Sequence, residues 1–404
     1  MLKNKSRFLP TRSVPALMGF LVLMACNAAS QKGCDPNFKF GIGLVVAMTA
    51  DRSTKQPVLT DFDYHPESGS FVQTPSSQTL PLITPVDQTT LNPPRAGSVN
   101  SQAVRAAFST TSSTVVYILD EFGSLLQFDP SSSTVVATLN FSQVISQGIA
   151  TKFAVTLDRH FAFITVNSAQ TAMSTGYVLV ADLTSFSIVS TIPLPAGTVV
   201  GGIAITPDGS LAYVVTQPYS GTGPSNVYVI DTAKRTITMT IPVAGYSNLG
   251  QIAITPDGTE AYLVDSLDTA GFSIPVLDLQ SNTVEPPISI SGRNLQDIIG
   301  PSYIALHPDG TRLYFLPLTG GPVYIVSTIT KTRTGTIPLA PGAGPVYGAQ
   351  PTFTADGIHL AFMSGMNLMV FVNTLTDTVE SSITLPPPPF EPIRNISFFF
   401  VPKP

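Results

Sequence analysis

Histidines and acidic side chains are the residues of this chain that could support metal or acid–base chemistry. The 404 residues include four histidines. His160, His307 and His359 each stand in or beside the first predicted turn of a different sequence repeat, and His65 lies near the N-terminus. Equivalent turns of a ring of repeats lie far apart, so these histidines cannot converge on one ion. We predict no histidine metal site and expect the three turn histidines to be exposed to solvent.

Carboxylates offer the alternative chemistry. Asp120, Asp265 and Asp297, with Asn167, have the oxygen ligands that a divalent-metal hydrolase of the lactonase kind would need in a central channel. The predicted innermost strands are almost wholly apolar, however, without a repeated acidic position. The hydrolase therefore stays the alternative hypothesis. We assign no catalytic residue, no metal ligand and no cofactor.

A repeat of about fifty residues must position any such site. Its marker is a Pro-Asp-Gly turn with its aspartate at Asp208, Asp257 and Asp309, and a degenerate copy at Asp356, at intervals of 49, 52 and 47 residues. Each repeat carries four short apolar runs that alternate with period two, as β-strands do. Four strands per repeat predict the blade of a β-propeller. The aspartates are predicted to shape turns rather than to catalyse a reaction.

Six repeat units are predicted to begin near residues 104, 151, 202, 251, 302 and 350. A lone strand signal precedes them at residues 41–49, and another follows them at residues 396–401. Pairing the two would place the C-terminal strand innermost in a further blade and close the ring, which removes free sheet edges. We predict an all-β propeller with seven blades; six blades with terminal extensions are the alternative.

The repeat resembles the YVTN family of β-propeller proteins. The resemblance rests on the Ile-Thr-Pro-Asp-Gly turns and on the Tyr-Val-Val-Thr run at residues 213–216, and it covers residues 101–385. It implies a propeller, usually seven-bladed, on an exported or surface protein. It implies no single activity.

The N-terminus has the layout of an export signal. Basic residues precede an apolar run at residues 14–25, which is too short to be assigned as a membrane-spanning helix. The run ends Leu-Met-Ala-Cys at Cys26, which resembles a bacterial lipobox in which that cysteine is lipidated. Asn27 then favours the outer membrane, by resemblance to Gram-negative lipoproteins. A secreted protein, with a possible Cys26–Cys34 disulfide, is the alternative.

These observations divide the chain. We predict a signal peptide at residues 1–25, a flexible tether at 26–40 and one propeller domain at 41–404, with a Ser/Thr/Pro-rich loop at 75–102. Only 11% of the residues are charged and the net charge is −5. The absence of a basic stripe argues against nucleic-acid binding.

One face of the predicted ring collects the loops that join the second strand to the third and the fourth strand to the next repeat; we call it the loop face. Loops on a rigid scaffold commonly carry binding sites, and tyrosines and amides suit a protein or glycan partner. We predict a monomeric, non-enzymatic binding scaffold. Its candidate contact residues are Asp120, Gln147, Asn167, Tyr219, Tyr246, Asn248, Gln251, Asp265, Asn294, Asp297 and Gln350.

Overall fold

The fold is given by a computed structural model. It describes residues 42–48, 58–65, 70–73, 78–79, 104–107, 116–120, 123–129, 134–145, 148–168, 176–265, 273–290, 302–317, 321–339, 351–353, 357–364, 368–384 and 396–402. These residues form strands and one short helix. Among them, no helix reaches the length and hydropathy that a membrane crossing requires.

Six blades are four-stranded antiparallel sheets, each made from consecutive strands. The first blade contains β5 (Val104–Ala107), β6 (Val116–Asp120), β7 (Ser124–Asp129) and β8 (Thr134–Asn140), and the short helix α1 (Ser142–Ile145) follows it. The second contains β9 (Ile149–Val155), β10 (Phe161–Asn167), β11 (Tyr177–Asp182) and β12 (Ser187–Pro193). The third contains β13 (Thr198–Ile205), β14 (Leu211–Pro218), β15 (Ser225–Asp231) and β16 (Thr236–Val243).

The remaining blades repeat this order. The fourth contains β17 (Leu249–Ile254), β18 (Glu260–Asp265), β19 (Ser273–Asp278) and β20 (Thr283–Ser289). The fifth contains β21 (Ser302–Leu306), β22 (Arg312–Pro317), β23 (Val323–Ser327) and β24 (Thr332–Ile337). The sixth contains β25 (Thr352–Phe353), β26 (His359–Ser364), β27 (Leu368–Asn373) and β28 (Thr378–Thr384). The first strands begin within four residues of the predicted starts.

The two ends of the chain form a further sheet. It contains β1 (Ile42–Met48), β2 (Val58–His65), β3 (Ser70–Gln73), β4 (Gln78–Thr79) and β29 (Ile396–Pro402), in the order β29-β1-β2-β3 with β4 also paired to β2. β29 is innermost, as predicted, and lies beside both β5 and β25. The all-β propeller of four-stranded blades is thus confirmed. The six blades of consecutive strands match the number in the stated alternative, and the terminal sheet lies between the first and the sixth. The strand β4 lies within residues 75–102, which were predicted to be loop.

The core lies between neighbouring blades. Middle strands carry apolar residues on both faces; Tyr213, Val214 and Val215 of β14 are all fully buried. Val180 of the second blade, for example, shares a cluster with Val214 of the third. The outermost strands alternate and are largely exposed, as in β16. Burial on both faces explains why the central strands read as continuous apolar runs.

Close packing also reaches the centre of the ring. The register of β13 shifts between Val200 and Ile203, where Gly201 and Gly202 stand. A Cβ on Gly201 would lie 2.9 Å from the Leu249 carbonyl oxygen of β17. Only glycine lets the innermost strands approach this closely.

Tight turns organise the face opposite the loop face, which we call the turn face. It contains the turns between first and second strands, such as residues 206–210, and those between third and fourth strands, such as 232–235. Thr206 Oγ1 donates to Asp208 Oδ1 at 2.5 Å, and Ser210 N donates to the same oxygen at 3.0 Å. Gly209 has φ +75°. The prediction that the aspartates shape turns is confirmed for Asp208, Asp257 and Asp309, whose carboxylates accept turn hydrogen bonds, and Asp356 lies outside the described residues.

Candidate functional site

The loop between β14 and β15 is the most exposed part of the loop face in the third blade. Tyr219 to Pro224 are six consecutive exposed residues, and none of them is charged. Tyr219 keeps 37% of its surface accessible, while its backbone N–H donates to Gly197 O at 2.8 Å. The loop is therefore anchored at its start and offers an aromatic ring to solvent.

The end of this loop is bonded to the connection between β16 and β17. Ser225 N donates to Tyr246 O at 2.6 Å, and Leu249 N donates to Ser225 Oγ at 3.1 Å. Tyr246 in turn places its hydroxyl 2.5 Å from Ser273 Oγ of the fourth blade. Asn248 Nδ2 donates to Ser247 Oγ at 2.9 Å. Residues 219–224 with Tyr246 and Asn248 thus form one connected surface, the loop patch.

Two predicted contact residues join blades to each other. Asn167, at the end of β10, donates from Nδ2 to Val200 O at 3.1 Å and accepts from Val200 N at 2.7 Å. Gln251 accepts from Ile304 N of the fifth blade through Oε1 at 3.3 Å. Both amides are part-buried and occupied by backbone partners, so they position adjacent blades.

The remaining predicted residues are spread around the ring or lie outside the described residues. Asp120 ends β6 opposite Val104, and Asp265 ends β18 opposite Leu249, in separate blades. Within the described ranges, no three histidine, cysteine, aspartate or glutamate side chains lie close enough to hold a metal ion. Outside the described residues lie the predicted Cys26, Cys34, Gln147, Asn294, Asp297 and Gln350.

The expectation of exposed turn histidines is wrong for two of the three. His160 is exposed, but His307 and His359 retain only 9% and 5% of their surface. His307 takes the place of the turn threonine: its Nδ1 lies 2.7 Å from Asp309 Oδ1, and its Nε2 lies 3.1 Å from Gly357 O of the sixth blade. His359 Nε2 lies 2.8 Å from Glu380 Oε2. Phe353 and Gly357 of the sixth blade lie against the His307 ring, whereas the contact of His359 with Glu380 stays within its own blade.

A cavity of about 420 Å³ opens on the turn face between the second and third blades. Thr156 and Asp158 approach it from one turn, and Asp208 and Gly209 from the equivalent turn of the next blade. Threonine hydroxyl and backbone hydrogen bonds lower the pKa of both aspartates, so both are ionised at neutral pH. The two aspartates make the edge of the cavity acidic, but their carboxylates already accept hydrogen bonds within their own turns.

The side chains that sequence reasoning missed connect successive blades on the turn face. A residue with φ between 48° and 57° stands in each described turn between third and fourth strands. In three blades its side chain meets a tyrosine on the second strand of the preceding blade. Tyr213 Oη donates to Asn282 Oδ1 at 2.8 Å, and Tyr314 Oη donates to Asp377 Oδ1 at 2.9 Å. We call each such pair a latch.

The fourth and fifth blades share the most polar latch. Tyr262 Oη donates to Glu260 Oε2 at 2.5 Å and lies 3.0 Å from Lys331 Nζ, which also pairs with Glu260. Burial, and then the hydrogen bond to Glu260, raise the pKa of Tyr262. In the third blade Arg235 instead stacks on Phe161, 4.8 Å from the ring centroid. The recurrence of tyrosine at 213, 262 and 314 was the sequence signal that could have revealed these contacts.

Comparison with known proteins adds to this geometry. No protein family and no curated protein matches the chain. Solved structures do match it. The comparisons establish the fold alone.

One similar structure is a functionally unknown protein from Desulfotomaculum acetoxidans, with a TM-score of 0.58, 17% identity, and coverage of 89% of this chain and 99% of that one. Another is the hydrazine synthase of Kuenenia stuttgartiensis, with a TM-score of 0.53, 17% identity, and coverage of 70% and 86%. In all, 1297 solved chains match. A propeller shared so widely does not define an activity, which must be argued from the site.

Proposed function

We propose that this chain is an exported, lipid-anchored β-propeller that binds a protein or glycan on its loop face and catalyses no reaction. The observation that carries the proposal is the loop patch. Six consecutive exposed, uncharged residues, among them Tyr219, extend from a blade whose middle strands are buried on both faces. Recognition surfaces are typically formed by polar loops and aromatic side chains that a rigid scaffold presents to solvent.

The chemistry of the patch favours a neutral, hydroxyl- or amide-rich partner. Residues 219–224 offer one tyrosine, two hydroxyls and the backbone of two glycines with positive φ, Gly221 and Gly223. Tyr246 and Asn248 extend the same surface across the neighbouring connection. Tyrosine supplies contact area at small entropic cost, and glycines and hydroxyls supply adaptable hydrogen bonds.

A crosslinking experiment tests the binding role. A photoreactive residue at Ser220 of the full chain in its own cell envelope is expected to give a discrete adduct, whereas one at Leu157 on the turn face gives none. A glycan array with the purified chain covers the other partner class, with Tyr219→Ala as the variant and Leu157→Ala as the control. If no adduct or glycan signal depends on the loop patch, the proposed binding function is wrong.

Fractionation tests the anchor separately. Cys26→Ala removes the residue that a lipoprotein pathway would acylate, and acyl chains supply the membrane affinity of such proteins. The variant is expected in the soluble fraction, while Cys34→Ser stays with membranes. A Cys26→Ala chain that still sediments with membranes contradicts the lipobox assignment.

A further inference from the structure

The position of β1 determines where the chain enters the propeller. β29 follows β28 as each innermost strand follows the outermost strand of the blade before it, so it runs from the loop face to the turn face. β1 is antiparallel to it, with Ile42 opposite Pro402 and Met48 opposite Ile396. Ile42, the first described residue of the chain, therefore lies at the turn face.

The predicted anchor is close to this entry point in the chain. Cys26 and Ile42 are sixteen positions apart in the chain. A flexible chain of that length spans about 20–24 Å on average, which is about the height of a seven-residue strand. A lipid on Cys26 would therefore hold the turn face nearer to the bilayer than the loop face.

Two turns of the turn face, in the fifth and sixth blades, carry strongly exposed apolar side chains. Ile329 keeps 78% of its surface accessible and Leu375 keeps 73%, the two largest values among the exposed apolar residues of the described chain. They occupy the same position of the turn between third and fourth strands in the fifth and sixth blades. The sixth blade contacts the terminal sheet through β25 and β29, and through β28 and β3.

These turns hold their tips outward. The buried Thr328 donates from Oγ1 to Gly310 O at 2.7 Å, and Thr374 donates likewise to Gly357 O at 2.6 Å. The charged members of the two turns, Lys331 and Asp377, are bonded to Tyr262 and Tyr314 of the preceding blades. An uncharged, apolar tip fixed at its base is suited to the interface of a bilayer.

The equivalent turns of other blades differ. In the second, third and fourth blades this position holds the exposed residues Thr184, Ala233 and Gln280. The third-blade turn also presents Lys234, whose side chain is 75% exposed. Among the described turns between third and fourth strands, large exposed apolar tips therefore occur only in the fifth and sixth blades. Leu157, which is 59% exposed, lies in a turn between first and second strands of the second blade.

We propose that Ile329 and Leu375 contact the bilayer to which the chain is anchored, so that the turn face lies against the membrane and the loop patch points away from it. This orientation rests on the proposed lipid anchor. It leaves the loop face free for a partner while the tether and the two apolar tips hold the opposite face at the lipid surface.

Fluorescence quenching in vesicles tests the orientation. The full lipidated chain with Cys34→Ser is reconstituted in phosphatidylethanolamine–phosphatidylglycerol vesicles that contain a nitroxide-labelled lipid. An environment-sensitive dye is attached to a single introduced cysteine in Ile329→Cys or Leu375→Cys. Ser220→Cys is the loop-face control and Gln280→Cys the control at the same turn position of another blade. These sites are exposed, so the variants are expected to fold.

The dye at residues 329 and 375 is expected to shift its emission to shorter wavelength and lose intensity to the nitroxide, with a smaller loss at 280 and none at 220. Quenching at 220 that equals or exceeds that at 329 overturns the orientation, and so does an anchored chain with no quenching at any position. A chain that does not associate with vesicles at all instead refutes the anchor, which distinguishes failure of the proposed function from failure of this inference.

Discussion

Tyr262 and Lys331 are 69 positions apart in the chain, yet the lysine Nζ lies 3.0 Å from the tyrosine hydroxyl and 5.0 Å from the ring centroid. The tyrosine belongs to the fourth blade and the lysine to the fifth. Lys331 also pairs with Glu260, next to Tyr262 in space. The contact therefore couples two blades through one part-buried polar cluster, and the same relationship recurs between Tyr213 and Asn282.

Removing one latch hydroxyl should weaken the domain measurably. Tyr213→Phe deletes the hydrogen bond to Asn282 and leaves the ring in place, so we expect a loss of about 1 kcal/mol in the free energy of unfolding. Urea denaturation measures the loss. Asn282→Gly removes the acceptor while tolerating φ +55°, and the double variant should lose less than the two single losses combined. Additive losses would show that the two side chains are not coupled.

The backbone of the turn can be separated from its side chain at Lys331, where φ is +54°. Both Lys331→Gly and Lys331→Ala remove the ammonium group, but only alanine keeps a Cβ that disfavours the left-handed region, by about 1–2 kcal/mol. The midpoint of thermal unfolding should therefore be lower for Lys331→Ala than for Lys331→Gly. Equal stabilities would mean that this backbone angle relaxes in the variant.

Two glycines with the same φ of +75° should respond differently to alanine. A Cβ on Gly209 meets nothing within 4 Å, whereas a Cβ on Gly310 would lie 2.8 Å from Pro256 Cδ of the neighbouring blade. Gly209→Ala should lose about 1–2 kcal/mol for the backbone alone. Gly310→Ala should lower the free energy of unfolding by about 1 kcal/mol more than Gly209→Ala does, because the neighbouring blade must move. Similar losses by urea denaturation would contradict this interblade contact.

Acid should destabilise the domain through its turn aspartates. Hydrogen bonds from the Thr206 and Ser210 groups lower the pKa of Asp208 below its ordinary value of 3.8, and those from Thr255 and Thr259 do the same for Asp257. A group with a lowered folded-state pKa contributes stability that is present above its unfolded value and lost as pH falls through the folded one. Stability should therefore decline below about pH 4.

The variant pair Asp208→Asn and Asp257→Asn removes two of these titrations, so its unfolding free energy should fall less steeply over the same acidic range. Ser210→Ala, which removes one donor to Asp208 but keeps the carboxylate, should retain most of the pH dependence. Parallel stability curves for wild type and the Asn pair would refute the assignment.

Closure of the ring should depend on the last strand. Deleting residues 395–404 removes β29 and with it every register pair from Ile42–Pro402 to Met48–Ile396. The first and sixth blades then lose the strand between them, and the midpoint of thermal unfolding should fall. Deleting only Lys403 and Pro404, which follow β29, is the matched control. A long truncation that melts like the short one would show that the terminal sheet does not support the ring.

The sequence by itself determined the local structure of this protein. The hydrogen bonds that close the turn around Asp208 join residues within five positions of each other, so one short segment of sequence determines them. The strand period, the repeat length and the position of the first strands follow from patterns of the same local kind. The pairing of the two termini was predictable because a ring of sheets has few other ways to remove its edges.

Only the tertiary structure decided which side chains cross between blades. Asn167 and Gln251 carry amide side chains of the kind found in binding sites, but backbone groups of the next blade form hydrogen bonds with these amides. His307 stands in a polar turn and is nevertheless buried, with Phe353 and Gly357 of the next blade against its ring. Partners 33 to 69 positions away are selected by how tightly one sheet packs on the next, and the residues around each side chain in the sequence do not specify that partner. Residues 219–224 of the loop patch stay exposed, because within the described part of the chain no neighbouring blade buries them.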